Sequence, residues 1–72
     1  MKKIKKIKIK INGKFRLINQ KTNLFELVEK LKIPIKKVAI ELNEEIVDKK
    51  NIKKTFFKEY DKIEIVHFIG GG

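Results

Sequence analysis

Apolar and polar residues alternate strictly near the start of the chain. Isoleucines occupy every second position from residue 7 to residue 11, with lysines between them. Alternation with period two, carried by β-branched residues, is typical of a strand with one buried and one solvated face. Asn12-Gly13 follows, a dipeptide that tolerates the positive φ angles of a type I′ turn. Residues 15–18 then form the returning strand, so the chain begins with a β-hairpin.

A helical spacing follows the hairpin. Asn23 is a suitable N-cap, and Glu26, three residues later, can complete a capping box. Because Pro34 cannot continue a helix, we expect this helix to end near Lys32. A helix of two to three turns needs tertiary packing, so it must lie on the hairpin. Its apolar stripe has the i, i+3, i+4, i+7 spacing and consists of Leu24, Leu27, Val28 and Leu31.

The rest of the chain predicts three further strands. Residues 38–42 alternate again and form the third strand, and residues 46–47 form a short partner after a turn. Residues 48–54 are polar and predict a loop or a single helical turn. The last strand covers residues 62–68.

One helix and this strand order predict a two-layer fold. The helix crosses one face of a mixed sheet of four to five strands, with the first and last strands adjacent at its centre. This is the α+β class and the β-grasp, or ubiquitin-like, architecture, with residues 1–72 as one domain. Phe56 and Phe57 are expected to anchor the loop before the last strand. The predicted core is Ile7, Ile9, Ile11, Leu17, Leu24, Leu27, Val28, Leu31, Val38, Ile40, Leu42, Ile63 and Ile65.

Composition narrows the classes of function. The 72 residues include no cysteine, which excludes disulfides, zinc–thiolate sites and a thiol nucleophile. No apolar run is long enough to span a membrane and no secretory segment follows Met1, so the cytoplasm is the expected compartment. The formal net charge of +10 favours nucleic-acid binding. The aromatic residues are scattered, however, and Arg16 is the single arginine, so nucleic acid is a minority interpretation.

Three consecutive glycines end the sequence. Gly70, Gly71 and Gly72 offer no side chain for a core and lose much backbone entropy on ordering. Taken alone they indicate either a frayed end or a tail that enters a narrow channel of another protein. We expect residues 69–72 to form a flexible tail.

In this order the elements and tail resemble those of the thiamine-biosynthesis sulfur carriers of the ThiS family, within the ThiS/MoaD group. The resemblance covers nearly all of the chain after Lys5. Glu44 and Tyr60 depart from it, because glycine is common at both positions, and residues 1–5 precede the usual first strand. The landmarks are Ile9-Lys10-Ile11-Asn12-Gly13, Leu24-Phe25-Glu26-Leu27-Val28, Val38-Ala39-Ile40-Glu41-Leu42-Asn43, Glu45-Ile46-Val47, Asp61-Lys62-Ile63-Glu64-Ile65-Val66 and Gly70-Gly71-Gly72.

The resemblance implies a carrier that is a substrate of other enzymes. A ThiF-like adenylyltransferase would use ATP to adenylylate the Gly72 carboxylate, and a persulfide enzyme would supply sulfur to make a thiocarboxylate. Thiazole synthase would receive that sulfur. Gly70 and Gly71, which have no side chains, would let the tail pass through a narrow channel of a partner. The carrier itself would bind no cofactor and no metal.

Other residues have less specific interpretations. His67, the single histidine, has no acidic partner at useful spacing, so contact with a partner protein, together with Phe68 and Ile69, is its expected role. The glutamates at 41, 44 and 45 predict a solvated turn rather than a metal site. The Lys6, Lys8 and Lys10 stripe is expected on the solvated face of the first strand, where it could also dock an acidic surface of the activating enzyme.

Three alternatives to the thiamine carrier stay open. A carrier for molybdopterin synthesis shares the fold, although such chains tend to be longer. A ubiquitin-like protein modifier would use the same activated glycine end to form isopeptide bonds. A small basic nucleic-acid-binding protein belongs to a different class, in which the tail is incidental.

Overall fold

The computed structural model describes residues 5–68, and residues 1–4 and 69–72 lie outside the described part. The expected flexible tail therefore lies outside it, as does most of the extension before the first strand. The described chain contains strands β1 (Lys6–Ile11), β2 (Lys14–Asn19), β3 (Val38–Leu42), β4 (Glu45–Ile46) and β5 (Lys62–His67), helix α1 (Leu24–Lys30), and 3₁₀ turns at Ile35–Lys37 and Lys49–Lys54.

The five strands form one mixed sheet in the order β2-β1-β5-β3-β4. The β1–β5 pair is parallel and the other pairs are antiparallel. The first and last strands are therefore neighbours at the centre of the sheet, which confirms the predicted β-grasp topology. The last strand ends at His67, one residue earlier than expected, and β4 begins at Glu45 rather than at Ile46.

The hairpin turn determines which side chains of β2 face the core. Asn12 and Gly13 have φ angles of 47° and 85°, as a two-residue type I′ turn requires. The resulting register pairs Ile7 with Ile18 and Lys8 with Leu17. Ile18 is therefore buried, and Leu17, which we expected in the core, is 61% exposed. The expectation for Leu17 was wrong because β2 carries apolar residues on both faces.

Helix α1 begins as predicted and ends sooner. The Glu26 amide donates to Asn23 Oδ1 at 2.8 Å, and the Asn23 amide donates to Glu26 Oε1 at 3.0 Å, which completes the capping box. The helix ends at Lys30 because Lys32 turns into the left-handed region at φ 58°. The amides of Lys32 and Ile33 then donate to the carbonyls of Glu29 and Val28, the pattern of a Schellman motif.

Most of the predicted core is buried between α1 and the sheet. Ile11, Leu31 and Leu42 are only half-buried at its margin. Phe57 is buried as expected, whereas Phe56 is 53% exposed. Consecutive residues of an extended segment point to opposite sides, so only one of the two phenyl rings can reach the core. The buried side chains are Ile7, Ile9, Ile18, Leu24, Leu27, Val28, Val38, Ile40, Ile52, Phe57, Ile63 and Ile65.

Two turns contain side chains where glycine would be less strained. Glu44 and Tyr60, the positions where the resembling family often has glycine, have φ angles of 72° and 69°. A non-glycine residue in this region places its Cβ close to backbone atoms and costs about 1–2 kcal/mol. The two departures from the family pattern are therefore sites of local backbone strain.

Alanine substitutions at Leu27 and Leu17 should distinguish a core position from a surface position. Leu27 is 1% exposed, so Leu27→Ala should lower the free energy of unfolding by about 2–5 kcal/mol through lost burial and a cavity. Leu17→Ala, which makes the same deletion on the exposed face, should change it by less than about 1 kcal/mol. Urea unfolding measures both values. Equal losses for the two variants would contradict the assigned register of β2.

Removal of the Glu44 side chain should stabilise the domain. Its Oε2 lies 3.3 Å from Lys62 Nζ, but this pair is exposed and contributes little. Relief of the backbone strain at residue 44 should outweigh the loss of this ion pair. Glu44→Gly should therefore raise the free energy of unfolding by about 0.5–1 kcal/mol. Glu45→Gly, one residue later in β4, should lower it because glycine weakens a strand. Thermal unfolding of the two variants tests this prediction, and a lower free energy of unfolding for Glu44→Gly than for the wild type would contradict it.

Candidate functional site: the tail root and the open sheet face

Strand β5, at the centre of the sheet, ends at His67, and the three glycines follow in the sequence after Phe68 and Ile69. On one side it pairs with β3 over its length, from Leu42 opposite Ile63 to Val38 opposite His67. On the other side its pairing with β1 is short, with Ile11 opposite Ile63 as the last pair. The second half of β5 therefore extends beyond the end of β1.

The Asn12 side chain continues this pairing where β1 stops. Its Oδ1 accepts a hydrogen bond from the Ile65 amide at 2.7 Å, and its Nδ2 donates to the Ile65 carbonyl at 3.2 Å. The Asn12 amide also donates to the Ile63 carbonyl at 2.9 Å. One turn residue thus bonds to β5 in the way that a further strand residue would, and it holds β5 in place up to Ile65.

The last described residues before the glycines, His67 and Phe68, form what we call the tail root. His67 is exposed at the end of β5, opposite Val38. The Phe68 amide donates to the Lys37 carbonyl at 2.9 Å, and the Lys49 ammonium lies 5.2 Å from the centroid of the Phe68 ring. Ile69 and Gly70–Gly72, the other residues predicted for the site, lie outside the described residues.

The sheet face opposite α1, here called the open face, is basic and aromatic at its β1–β2 side. The register places Lys8 beside Leu17 and Lys10 beside Phe15 on this face. The ammonium groups of Lys8 and Lys10 lie 5.4 Å and 5.3 Å from the centroid of the Phe15 ring, within the range of cation–π contacts. Two lysines of the predicted stripe, Lys8 and Lys10, therefore lie over an exposed aromatic ring, whereas the third, Lys6, lies opposite Asn19.

The same face is acidic at its β5–β3 side. Glu64 lies directly opposite Glu41, and Val66 lies opposite Ala39. Ile46 of β4 pairs with Glu41 and is 76% exposed. Two like charges that face each other across neighbouring strands repel each other, which is destabilising. The open face thus carries charges of both signs, each beside exposed apolar side chains.

The described residues contain no preformed centre for metal chemistry. Within residues 5–68, no three His, Asp or Glu side chains lie together in a way that could hold a metal ion. In the same stretch, no helix is long and apolar enough to cross a membrane.

Sequence reasoning missed two features of the site. Phe15 and Leu17 belong to the open face, and this could have been found by counting back from the two-residue turn, which pairs Ile11 with Lys14. The contact of Lys49 with Phe68 has no local signal, because the two residues are brought together only by the packing of the 3₁₀ turn Lys49–Lys54.

The fold and site together define a β-grasp protein whose central strand runs into a glycine tail. The chain belongs to the ThiS family, whose family model matches residues 9–72.

Solved structures agree with this assignment. The crystal structure of the thiamine biosynthesis protein ThiS from Geobacter metallireducens superposes with a TM-score of 0.80 at 30% sequence identity, covering 92% of this chain and 100% of that one. An NMR structure of a thiamine biosynthesis protein from the same organism gives a TM-score of 0.70, also at 30% identity, covering 92% of this chain and 88% of that one.

Similar sequences also occur within larger proteins. A thiazole synthase of Paramagnetospirillum magneticum is 39% identical over 66 residues, which is 92% of this chain and 20% of that protein. The chain therefore spans about a fifth of the length of such relatives. A protein of Porphyra purpurea named ycf40 is 31% identical over 68 residues, covering 94% of this chain and 96% of its own length.

Proposed function

We propose that this chain is a sulfur carrier of thiamine biosynthesis and that the Gly72 carboxylate is the group that carries sulfur. The main support is the family match, which continues through the glycines to residue 72. The similarity to solved thiamine biosynthesis proteins supports the same pathway. The position of the tail, directly after the central strand, suits a group that is presented to other proteins.

Activation would begin at the carboxylate. An adenylyltransferase joins the Gly72 carboxylate to the α-phosphate of ATP, so that an acyl-adenylate forms and pyrophosphate leaves. The outer sulfur of a persulfide then attacks the acyl carbon and expels AMP. A thiol supplies the two electrons that cleave the remaining S–S bond, and a thiocarboxylate is left on Gly72. The chain contains no cysteine, and none is needed because the partner enzymes supply both sulfur and thiol.

The thiocarboxylate would then donate its sulfur to thiazole synthase. Two relatives bear that name, and each contains a stretch similar to 92% of this chain. This similarity supports an encounter between the carrier and such an enzyme, and we propose the cytoplasm as the compartment. The carrier acts as a substrate in each step, because adenylylation, sulfur transfer and ring formation are assigned to its partners.

The basic side of the open face is the proposed docking surface for the activating enzyme. Lys8 and Lys10 flank Phe15 and Leu17, which are 62% and 61% exposed. An apolar centre with charges around it is the usual composition of a protein interface. Positive charge on this side fits an acidic partner surface and would speed the encounter of the two proteins.

The length of the tail should be critical for activation but not for folding. Deletion of Gly72, or addition of one residue after it, displaces the carboxylate by ~3.5 Å along an extended chain. Misplacement of a reacting group by even 1 Å can cost about 100-fold, so ATP–pyrophosphate exchange with the adenylyltransferase should fall at least that much. The free energy of unfolding should stay unchanged. Undiminished exchange by either variant would exclude Gly72 as the activated residue.

Charge reversal on the open face should weaken docking selectively. The double variant Lys8→Glu/Lys10→Glu should raise KM for the carrier about tenfold or more, with a smaller change in kcat. Lys21→Glu/Lys54→Glu changes the net charge equally but lies outside this face, so it should have a much smaller effect. Added salt should weaken activation of the wild type more than that of the Lys8/Lys10 variant. Equal effects of the two double variants would mean that overall charge, not this face, matters.

A further inference from the structure

The tail root is held at two independent points. The Phe68 backbone is fixed by its hydrogen bond to the Lys37 carbonyl at 2.9 Å. The Phe68 ring is held by the Lys49 ammonium, 5.2 Å from the ring centroid. The backbone hydrogen bond continues the β3–β5 register one residue beyond His67, whereas the ring contact is made by side chains and does not depend on strand pairing.

Both holding points belong to well-anchored parts of the fold. Lys37 directly precedes Val38, which is fully buried at the start of β3. Lys49 begins the 3₁₀ turn, whose Ile52 is 7% exposed in the core. Asp48 caps this turn by accepting a hydrogen bond from the Lys50 amide at 3.0 Å. Lys49 itself is partly buried, whereas Lys50, Lys53 and Lys54 are exposed.

We propose that the contact of Phe68 with Lys49 and Lys37 is an anchor that fixes where the tail begins and thereby positions Gly72 for activation. Phe68 and Lys49 are positioning residues in this proposal and take no part in the chemistry. The consequence for activation rests on the proposed sulfur-carrier function. The anchor itself is a property of the free protein and can be tested without any partner.

The expected effect of the anchor on activation depends on how many residues separate Gly72 from the last fixed residue. From Phe68 to Gly72 the tail can reach ~13 Å. Without the anchor, the last fixed residue of β5 is His67, which pairs with Val38 of β3, so the segment after the last fixed residue grows from four residues to five. If the effective concentration of the chain end falls as about the −3/2 power of this length, the change is about 1.4-fold. Loss of the cation–π contact should contribute the larger part, so a two- to fivefold change is expected.

The chain contains matched controls for both residues. Phe56 is 53% exposed, the same as Phe68, but lies opposite Asn23 beside the helix. Lys53 lies 4.8 Å from the centroid of the Phe25 ring and so makes the same kind of contact away from the tail. Phe56→Ala and Lys53→Gln therefore reproduce the loss of an exposed ring and of a cation–π pair without touching the tail root.

The first measurement is ¹⁵N relaxation of the free protein. The amides of His67 and Phe68 should have order parameters near ~0.85 in the wild type, and these should fall toward ~0.6 in Phe68→Ala and Lys49→Gln. Phe68→Tyr keeps an aromatic face and should keep the wild-type value. The two control variants should also keep it. Unchanged order parameters in both Phe68→Ala and Lys49→Gln would overturn the anchor.

The second measurement is ATP–pyrophosphate exchange at varied carrier concentration. Phe68→Ala and Lys49→Gln should each raise KM two- to fivefold with kcat unchanged, and the double variant should be no worse than Phe68→Ala alone. A rise with Phe68→Ala but none with Lys49→Gln would assign the ring to direct partner contact and overturn the anchor. Absence of exchange in the wild type would instead refute the proposed function, and the relaxation data would still decide the anchor.

Discussion

The parallel pairing of β1 with β5 is the constraint on which the rest of the structure depends. It joins residues about fifty positions apart in sequence and places the last strand at the centre of the sheet. Only a short ladder is available, so the Asn12 side chain supplies two further bonds to Ile65. Without this pairing, β5 would be an edge strand beside β3, and the tail root would lie at the border of the sheet.

The packing of the hydrophobic core depends on this pairing of β1 with β5. Helix α1 has seven residues, which is too short to be stable alone in water, so its formation depends on burial against the sheet. Leu24, Leu27 and Val28 meet Ile63 and Ile65 of β5 and the isoleucines of β1 in one cluster. Strand pairing and helix formation are therefore coupled: removal of either exposes the apolar face of the other.

The chain has a formal net charge of +10, and within residues 5–68 its charged side chains lie at the surface or at the margin of the core. Within the described residues, no charged side chain is buried, and four lysine ammonium groups lie over aromatic rings. Lys8 and Lys10 cover Phe15, Lys53 covers Phe25 and Lys49 covers Phe68. Phe15 and Phe68 are the exposed rings of this set, and each has a lysine ammonium over its face.

The sequence by itself determined the features that depend on neighbouring residues: the alternation in β1, the Asn12-Gly13 turn and the capping box of α1. These rest on local backbone geometry and on hydrogen bonds within a few residues, as the Asn23–Glu26 pair shows. Only the tertiary structure decided that Ile18 rather than Leu17 is buried, that Phe56 is exposed, and that Lys49 lies over Phe68. Each of these outcomes depends on strand register or on packing between distant segments, and such contacts leave no local pattern in the sequence.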